Sequence, residues 1–363
     1  MKRKHHKIKN LLYVLLITFT IVSFKKQEFN CNPIGSADQL VWEESGCDES
    51  FEDNPTGDEY LVQEGNQYMF PAFNPNNPYE FVFYKKVADS GSETQTDFQL
   101  IKYNFLHDQK TVLLTNTKIF GKPAWNENGW IAFKNIDDGF IYIINDDGSE
   151  LTKFSDIPDG GSYDRNLTWL NKGNTLFWGG IDVANTPYLK SKKIGDEAVI
   201  LIENSENSMI SNEFTVSNNN LLLSPLSDYA EHKYGVSDLD KDSLTWEAFE
   251  FNLFGNLYGR VNWHVDGKRF YVSNFGYPGG TGLFEINFET GATTNLIKLC
   301  DKEYIKEAVC SPAGDKLILQ KIERTLIPGP NEWISIGGTL IENSSLWLFD
   351  LNTHKEARLF KQQ

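Results

Sequence analysis

The sequence predicts an all-β protein: a six-bladed β-propeller of four-stranded antiparallel blades, preceded by a signal peptide and an acidic leader. Two observations predict the propeller. An apolar strand, a polar turn and a second apolar strand recur six times, and the periodic segments after Glu59 alternate apolar and polar residues. Alternation around Gly, Asn and Asp turns is typical of antiparallel hairpins, and none of these segments sustains the apolar stripe of a helix.

Each repeat begins with a hairpin whose copies align at their third residue. The copies begin at Pro71, Pro123, Leu167, Phe214, Val261 and Ala308. Their third residues, at intervals of 52, 44, 47, 47 and 47, are Phe73, Trp125, Trp169, Val216, Trp263 and Cys310. We interpret the recurring tryptophans as packing residues between blades rather than as a ligand cage.

A second hairpin follows each of these copies. The six second hairpins begin at Phe98, Phe140, Leu189, His232, Gly282 and Ser345. Two hairpins make a four-stranded sheet, which cannot cover both faces until neighbours pack on it around an axis. Tandem sandwich domains would need units of ~100 residues. We therefore assign residues 60–363 to a six-bladed propeller.

Two turn segments resemble those of a known repeat family. His264-Val265-Asp266-Gly267-Lys268 and Ser311-Pro312-Ala313-Gly314-Asp315-Lys316 are similar to the S-P-D-G-K signature of TolB-like, WD40-like propeller repeats. The resemblance covers residues 60–361. It implies a six-bladed propeller of the kind found in bacterial periplasmic proteins. It does not imply the TolB partners, because we find no separate N-terminal α/β domain of the kind TolB carries.

The first 24 residues predict export. Residues 1–10 are basic, and the 14-residue apolar run from Leu11 to Phe24 is shorter than the ~20 residues of a membrane-spanning helix. We assign residues 1–24 to a signal peptide or N-terminal anchor, and expect the protein in the periplasm or at the cell surface. Lipidation at Cys31 is an open alternative.

Residues 25–59 predict an acidic linker. From Asn32 to Glu59 the chain has nine acidic residues and no Lys or Arg, a composition that favours a solvated leader. The whole chain has a formal charge of -16 and no basic stripe, so we expect no nucleic-acid partner. Membrane contact is expected only through the N-terminal segment, and the protein is expected to be a monomer.

Four cysteines form two sequence-local pairs, Cys31 with Cys47 and Cys300 with Cys310. In an exported chain such pairs can be disulfides. We predict a bridge between Cys300 and Cys310. The alternative is that Cys310, inside an apolar strand, is a buried free thiol.

Motifs for catalysis and metal binding are weak. The sequence has no G-x-S-x-G nucleophile elbow and no clustered histidines, and we expect the histidines beside turns, His264 among them, to be surface residues. Asp238-x-Asp240-x-Asp242 copies the start of a calcium loop, but Ser243 and Phe249 stand where that loop needs Gly and Glu. We interpret it as a hairpin turn and expect no metal and no cofactor.

Binding residues are expected on the loops that join the second to the third strand, which share one face of a propeller at the channel mouth. The longest of these loops lies in the sixth repeat, residues 321–343. Aromatic residues and Arg are enriched at interface hot spots. The predicted binding patch comprises Trp333 and Arg324 from the sixth repeat, Phe275 and Tyr277 from the fifth, and Tyr229 and His232 from the fourth, beside Asp228 and Glu231. Packing of the long loop on the blade edge is the alternative.

Two functions remain open at this point. The first is a non-enzymatic exported scaffold that binds a protein or glycan partner at the channel mouth. The second is a hydrolase or lyase whose catalytic residues are dispersed over blade loops. Convergent carboxylates or histidines about 5–9 Å apart would favour the enzyme, and an aromatic rim with one Arg would favour binding.

Overall fold

A computed structural model gives the fold. It describes residues 40–44, 60–63, 67–87, 97–155, 167–170, 173–181, 187–197, 200–202, 214–228, 231–241, 247–250, 260–274, 282–299, 303–327 and 339–360. The chain divides into two units, Met1–Ile34 and Gly35–Gln363, of which the first lies outside the described residues, as does the predicted signal peptide. No helix within the described ranges is long and apolar enough to span a membrane.

The described elements are all β-strands. In chain order they are β1 (Glu43–Glu44), β2 (Tyr60–Gln63), β3 (Tyr68–Asn74), β4 (Asn77–Val87), β5 (Asp97–Asn104), β6 (Gln109–Thr117), β7 (Ile119–Trp125), β8 (Trp130–Asn135), β9 (Ile141–Asn145), β10 (Thr152–Lys153), β11 (Leu167–Leu170), β12 (Thr175–Ile181), β13 (Pro187–Lys193), β14 (Ile200–Ile202), β15 (Thr215–Val216), β16 (Leu221–Asp228), β17 (Glu231–Asp238), β18 (Glu247–Glu250), β19 (Val261–Trp263), β20 (Arg269–Asn274), β21 (Gly282–Asn287), β22 (Thr293–Lys298), β23 (Glu303–Cys310), β24 (Lys316–Ile327), β25 (Thr339–Asp350) and β26 (Lys355–Arg358).

These strands form six sheets, in each of which the four strands of one repeat pair antiparallel, as the sequence predicts. Strands β3–β6, β7–β10, β11–β14, β15–β18 and β19–β22 make blades 1 to 5, and β23–β26 make blade 6, which β1 and β2 extend. The first strands of neighbouring blades contact one another in a closed cycle, from β3 through β7, β11, β15, β19 and β23 back to β3. The first strands therefore surround a central channel, and the six-bladed propeller is confirmed.

The seam between blade 1 and blade 6 closes the ring. Aromatic and aliphatic residues of both blades share one buried cluster, which includes Phe83, Tyr103 and Phe360. Hydrogen bonds add to this packing: Gln67 Nε2 donates to the Glu342 carbonyl at 2.9 Å, and Ser344 Oγ donates to the Tyr68 carbonyl at 2.6 Å. The four strands of each blade come from one repeat, and blade 6 also takes β1 and β2 from the segment before blade 1, so strand pairing as well as side-chain packing joins the two ends.

The leader contacts this seam over the short part that is described. Glu43 and Glu44 pair antiparallel with β26, and Leu40 and Trp42 pack on the cluster between blades 1 and 6. The acidic composition of residues 25–59 predicted a solvated leader. Residues 40–44 differ from that expectation because two apolar side chains find apolar surface at the seam.

The predicted Cys300–Cys310 disulfide is wrong, because Cys310 is a free thiol. The reason is geometric. Strand β23 extends over eight residues from Glu303 to Cys310, so its ends lie roughly 23 Å apart. Cys300 precedes Glu303 by three residues, so it can lie at most about 11 Å closer to Cys310 than Glu303 does. The distance of about 12 Å that remains exceeds the ~7 Å between Cα atoms that a disulfide allows.

Candidate functional site

The central channel contains a cavity of about 210 Å³, lined by the first strands of all six blades and by the turns that follow them. Trp125, Trp169 and Trp263 lie in its wall, only 5–7% exposed. The indole of Trp169 donates a hydrogen bond to the carbonyl of Ala124 in the preceding blade at 3.0 Å. These tryptophans pack between blades, as the sequence predicts.

A network of charged side chains crosses the channel, with Glu307 of blade 6 at its centre. Glu307 is 1% exposed. One carboxylate oxygen lies 2.9 Å from Lys122 Nζ of blade 2, and the other accepts a hydrogen bond from Arg260 Nη1 of blade 5 at 2.9 Å. Asn262 Nδ2, also from blade 5, donates to the first oxygen at 3.1 Å.

Lys122 also joins two opposite blades directly. Its ammonium group donates to Asn262 Oδ1 at 2.6 Å, and blades 2 and 5 face each other across a ring of six. Phe70 of blade 1 packs against the same group of residues, with the Arg260 guanidinium 4.4 Å from its ring centroid. Blades 1, 2, 5 and 6 therefore meet at one level of the channel.

The network keeps Glu307 ionised. Burial alone would raise the pKa of this carboxyl, but Lys122 and Arg260 lower it to about 2 through their charges and hydrogen bonds. A carboxylate with so low a pKa carries no proton near neutral pH, and its two oxygens already accept three protein donors. Glu307 is therefore suited to holding the network together and unsuited to general acid catalysis.

Sequence reasoning missed this network, although the repeats carry a signal for it. Lys122, Arg260 and Glu307 each stand immediately before the first residue of a repeat copy, and Phe70 holds the same position in blade 1. Equivalent positions of a six-fold repeat lie at one height around the axis. A Lys, an Arg and a Glu at one such position predict a shared ion-pair network in the channel.

His264 also lines the cavity, but the expectation of a surface histidine is wrong for it. His264 is 5% exposed. Its Nε2 lies 3.2 Å from the carbonyl oxygen of Gly314 in the next blade. Its Nδ1 lies 3.0 Å from Asp266 Oδ2. Asn126 makes an equivalent link, from Nδ2 to the Gly173 carbonyl at 2.9 Å. These side chains join the turn of one blade to the turn of the next.

The acidic motif of blade 4 behaves as the predicted turn where it is described. Asp238 Oδ1 accepts a hydrogen bond from the Asp240 amide at 3.0 Å, and Asp240 accepts one from Asn220 at 2.7 Å. Across the described ranges, no group of three or more His, Cys, Asp or Glu side chains could hold a metal ion.

The predicted binding patch is only partly within the described residues. Arg324 lies on β24, opposite Glu342 of β25, and His232 lies on β17, opposite Ser227 of β16. Trp333, Phe275, Tyr277 and Tyr229 lie outside the described residues. In the sequence these four lie between the second and third strands of their blades: Tyr229 in blade 4, Phe275 and Tyr277 in blade 5, and Trp333 in blade 6. Second-to-third-strand connections share one face of a propeller.

Blade 6 carries a long hairpin toward that face. Strands β24 and β25 have 12 residues each and pair along their whole length, whereas β20 and β21 of blade 5 have six each. At ~3.3 Å per residue the blade 6 hairpin extends about 20 Å farther. Strand β2 pairs in parallel with Thr339–Glu342 of this extension. We call the extension, residues 324–327 and 339–342 with β2, the β-arm.

No family model matches the sequence, and no curated protein matches it significantly. Similar solved structures include TolB from Acinetobacter baumannii, at 12% identity and a TM-score of 0.52. The match covers 82% of this chain and 64% of the TolB chain. The gluconolactonase XC5397 from Xanthomonas campestris matches at 11% identity and a TM-score of 0.52, over 82% of this chain and 87% of that one.

The β-propeller domain of the Trilobed protease from Pyrococcus furiosus, which has an open velcro topology, matches at 10% identity and a TM-score of 0.50, over 83% of this chain and 99% of that one. At such identities the likeness shows the fold alone. It confirms the expected resemblance to TolB-like propellers at the level of fold.

Proposed function

We propose that this chain is a non-enzymatic exported β-propeller that binds a protein or glycan partner on the face bearing the β-arm. The observation that carries the proposal is the length of β24 and β25, twice that of the equivalent strands of blade 5. A paired hairpin that extends about 20 Å beyond the paired strands of blade 5 presents a preformed surface, and preformed surfaces lose little entropy on binding.

The loops around the β-arm supply suitable side chains for such an interface. Trp333 belongs to the connection at its tip, Arg324 to β24, and Tyr277 to the neighbouring loop of blade 5. Trp, Tyr and Arg dominate the binding energy of protein interfaces when they occupy desolvated centres. In this proposal Phe275, Tyr229 and His232 belong to the same binding patch.

The channel gives the alternative, a hydrolase or lyase, less support. Among the described residues of its wall Glu307 is the only carboxylate, and ion pairs lower its pKa to about 2. Acid–base hydrolysis of a glycoside needs two carboxyl groups with separated pKa values.

Export rests on residues 1–24, so secretion of a fusion of these residues to a reporter tests that part of the proposal separately.

Site-specific photocrosslinking in the source cell tests the partner surface. A photoreactive phenylalanine analogue is placed at position 333, at position 277 and, as a control, at position 151, where Leu151 is 51% exposed on blade 2. We expect one discrete adduct shared by positions 333 and 277 and none from position 151. Adducts from position 151 alone, or the same adducts from all three positions, would refute the patch.

A further inference from the structure

At one level of the channel cavity, the wall has a polar side and an apolar side. The second residue of each repeat copy lines it, and the residue type changes around the ring. Blades 3, 4 and 5 contribute Thr168, Thr215 and Asn262, whereas blades 6, 1 and 2 contribute Val309, Ala72 and Ala124. At the level of these second residues the wall is therefore polar on one side and apolar on the other, while Lys122 of blade 2 and Glu307 of blade 6 add charged groups at the preceding position. A molecule at this level meets hydrogen-bonding groups on one side and methyl groups on the other.

The polar side has unused hydrogen-bonding capacity. Thr168 and Thr215 are partly exposed to the cavity, and no residue in the described ranges hydrogen bonds to either hydroxyl. Each hydroxyl can donate one hydrogen bond and accept others. The first strands are also paired on one edge only, so their inner backbone N–H and C=O groups face the channel. Blades 3, 4 and 5 therefore present both hydrogen-bond donors and acceptors to a molecule in the cavity.

The charged residues of the cavity wall, Lys122 and Arg260 against Glu307, form one network with a net charge of +1. The ammonium of Lys122 and the guanidinium of Arg260 are directed at the two oxygens of Glu307. A cation is repelled by this net charge. An anion that draws Lys122 and Arg260 away leaves Glu307 buried without its partners, which is strongly unfavourable. A neutral ligand leaves these ion pairs intact.

We propose that the cavity is a binding site for a small neutral polyhydroxylated ring, the size of a monosaccharide. Such a molecule has hydroxyl groups for Thr168 and Thr215 and C–H faces for Ala124 and Val309. It enters from the face of the first-to-second-strand turns, where Pro75, Asn218, Val265 and Pro312 line the cavity. This face is opposite the β-arm, so the site is independent of the proposed partner surface.

Three sugars of equal ring size but different charge test the site: glucose, glucosamine and glucuronate. Binding to the full chain is measured by saturation-transfer NMR and by calorimetry at pH 7. We expect glucose to bind at least tenfold more tightly than the cationic glucosamine and the anionic glucuronate. Tighter binding of either charged sugar, or no binding of glucose at millimolar concentration, would overturn the proposal.

Variants locate the site in the channel. Thr215→Val removes one hydroxyl at nearly constant volume and should weaken glucose binding about fivefold, the effect of losing one neutral hydrogen bond. Thr294→Val is the matched control, because Thr294 is exposed on the outer strand of blade 5. Val309→Phe fills the cavity from the apolar side and should abolish binding. Equal glucose affinity in all three folded variants would show that glucose binds elsewhere and would overturn the proposal.

Discussion

Lys122 of blade 2 reaches Glu307 of blade 6 at 2.9 Å, although 185 residues and one intervening blade separate them. Arg260 holds the other oxygen of the same carboxylate at 2.9 Å. Because Glu307 is 1% exposed, its charge is stabilised by these partners and hardly by water. The network thus links blades that share no strand.

Replacing Glu307 by Gln should destabilise the propeller strongly. The amide keeps the size of the side chain but leaves Lys122 and Arg260 without their counter-charge, and breaking such a buried pair costs about 3 kcal/mol or more. Urea unfolding at pH 7 measures the effect. The control is Glu289→Gln, because Glu289 pairs with Lys268 at 3.0 Å with both side chains more than half exposed. Equal effects of the two substitutions would contradict a structural role for the network.

The same carboxylate should give a characteristic acid transition. The pKa of Glu307 is lowered from 4.5 to about 2 on folding, so its stabilisation is complete above pH 4.5 and is lost as the pH falls through 2. A difference of this size corresponds to about 3 kcal/mol. Between pH 4.5 and pH 2, the free energy of unfolding should therefore fall by about 3 kcal/mol more for the wild type than for Glu307→Gln. Parallel pH profiles would show that Glu307 is not ionised by its partners.

The fold could be predicted from the sequence because each blade repeats one local alternation, and local alternation determines hairpins. The network could not be found in this way, since Lys122 and Glu307 meet only through ring closure and are polar residues beside apolar strands. Trp42 was missed for a related reason: the composition of residues 25–59 is acidic on average, and the average conceals two apolar side chains. The Cys300–Cys310 bridge was predicted from sequence distance, which an extended strand makes misleading.

Phe360 should be essential for closing the seam between blades 1 and 6. Its ring lies 4.8 Å from Tyr68, 5.0 Å from Phe83 and 4.9 Å from Tyr103, centroid to centroid, and the residue is 5% exposed. Phe360→Ala should lower the free energy of unfolding by about 3–5 kcal/mol, whereas Phe360→Leu keeps most of the packing and should cost about 1 kcal/mol. Urea denaturation compares them, and a loss below about 0.5 kcal/mol for the alanine variant would contradict this role.

Two adjacent leader residues test whether residues 40–44 are docked on the propeller. Trp42 packs on the cluster between blades 1 and 6, while Val41 beside it is 68% exposed. Trp42→Ser should lower the free energy of unfolding by about 2 kcal/mol through lost apolar burial, and Val41→Ser should change it by less than about 0.5 kcal/mol. Thermal unfolding of both variants measures this. Equal, small effects would support a solvated leader instead.

Cys310 should behave as an unreactive free thiol. Burial raises its pKa to about 12, and its contacts with the Val265 backbone and the Tyr271 side chain only partly offset that effect. The thiolate is the nucleophile, so at pH 8 native Cys310 should react with iodoacetamide about a thousandfold more slowly than a thiol of pKa 9. After unfolding without reductant, mass spectrometry should find Cys310 fully alkylated, and reductant should leave the melting temperature of the native protein unchanged. If Cys310 is not alkylated in the unfolded, unreduced chain, it is disulfide-bonded, and that result would contradict the extended path of β23.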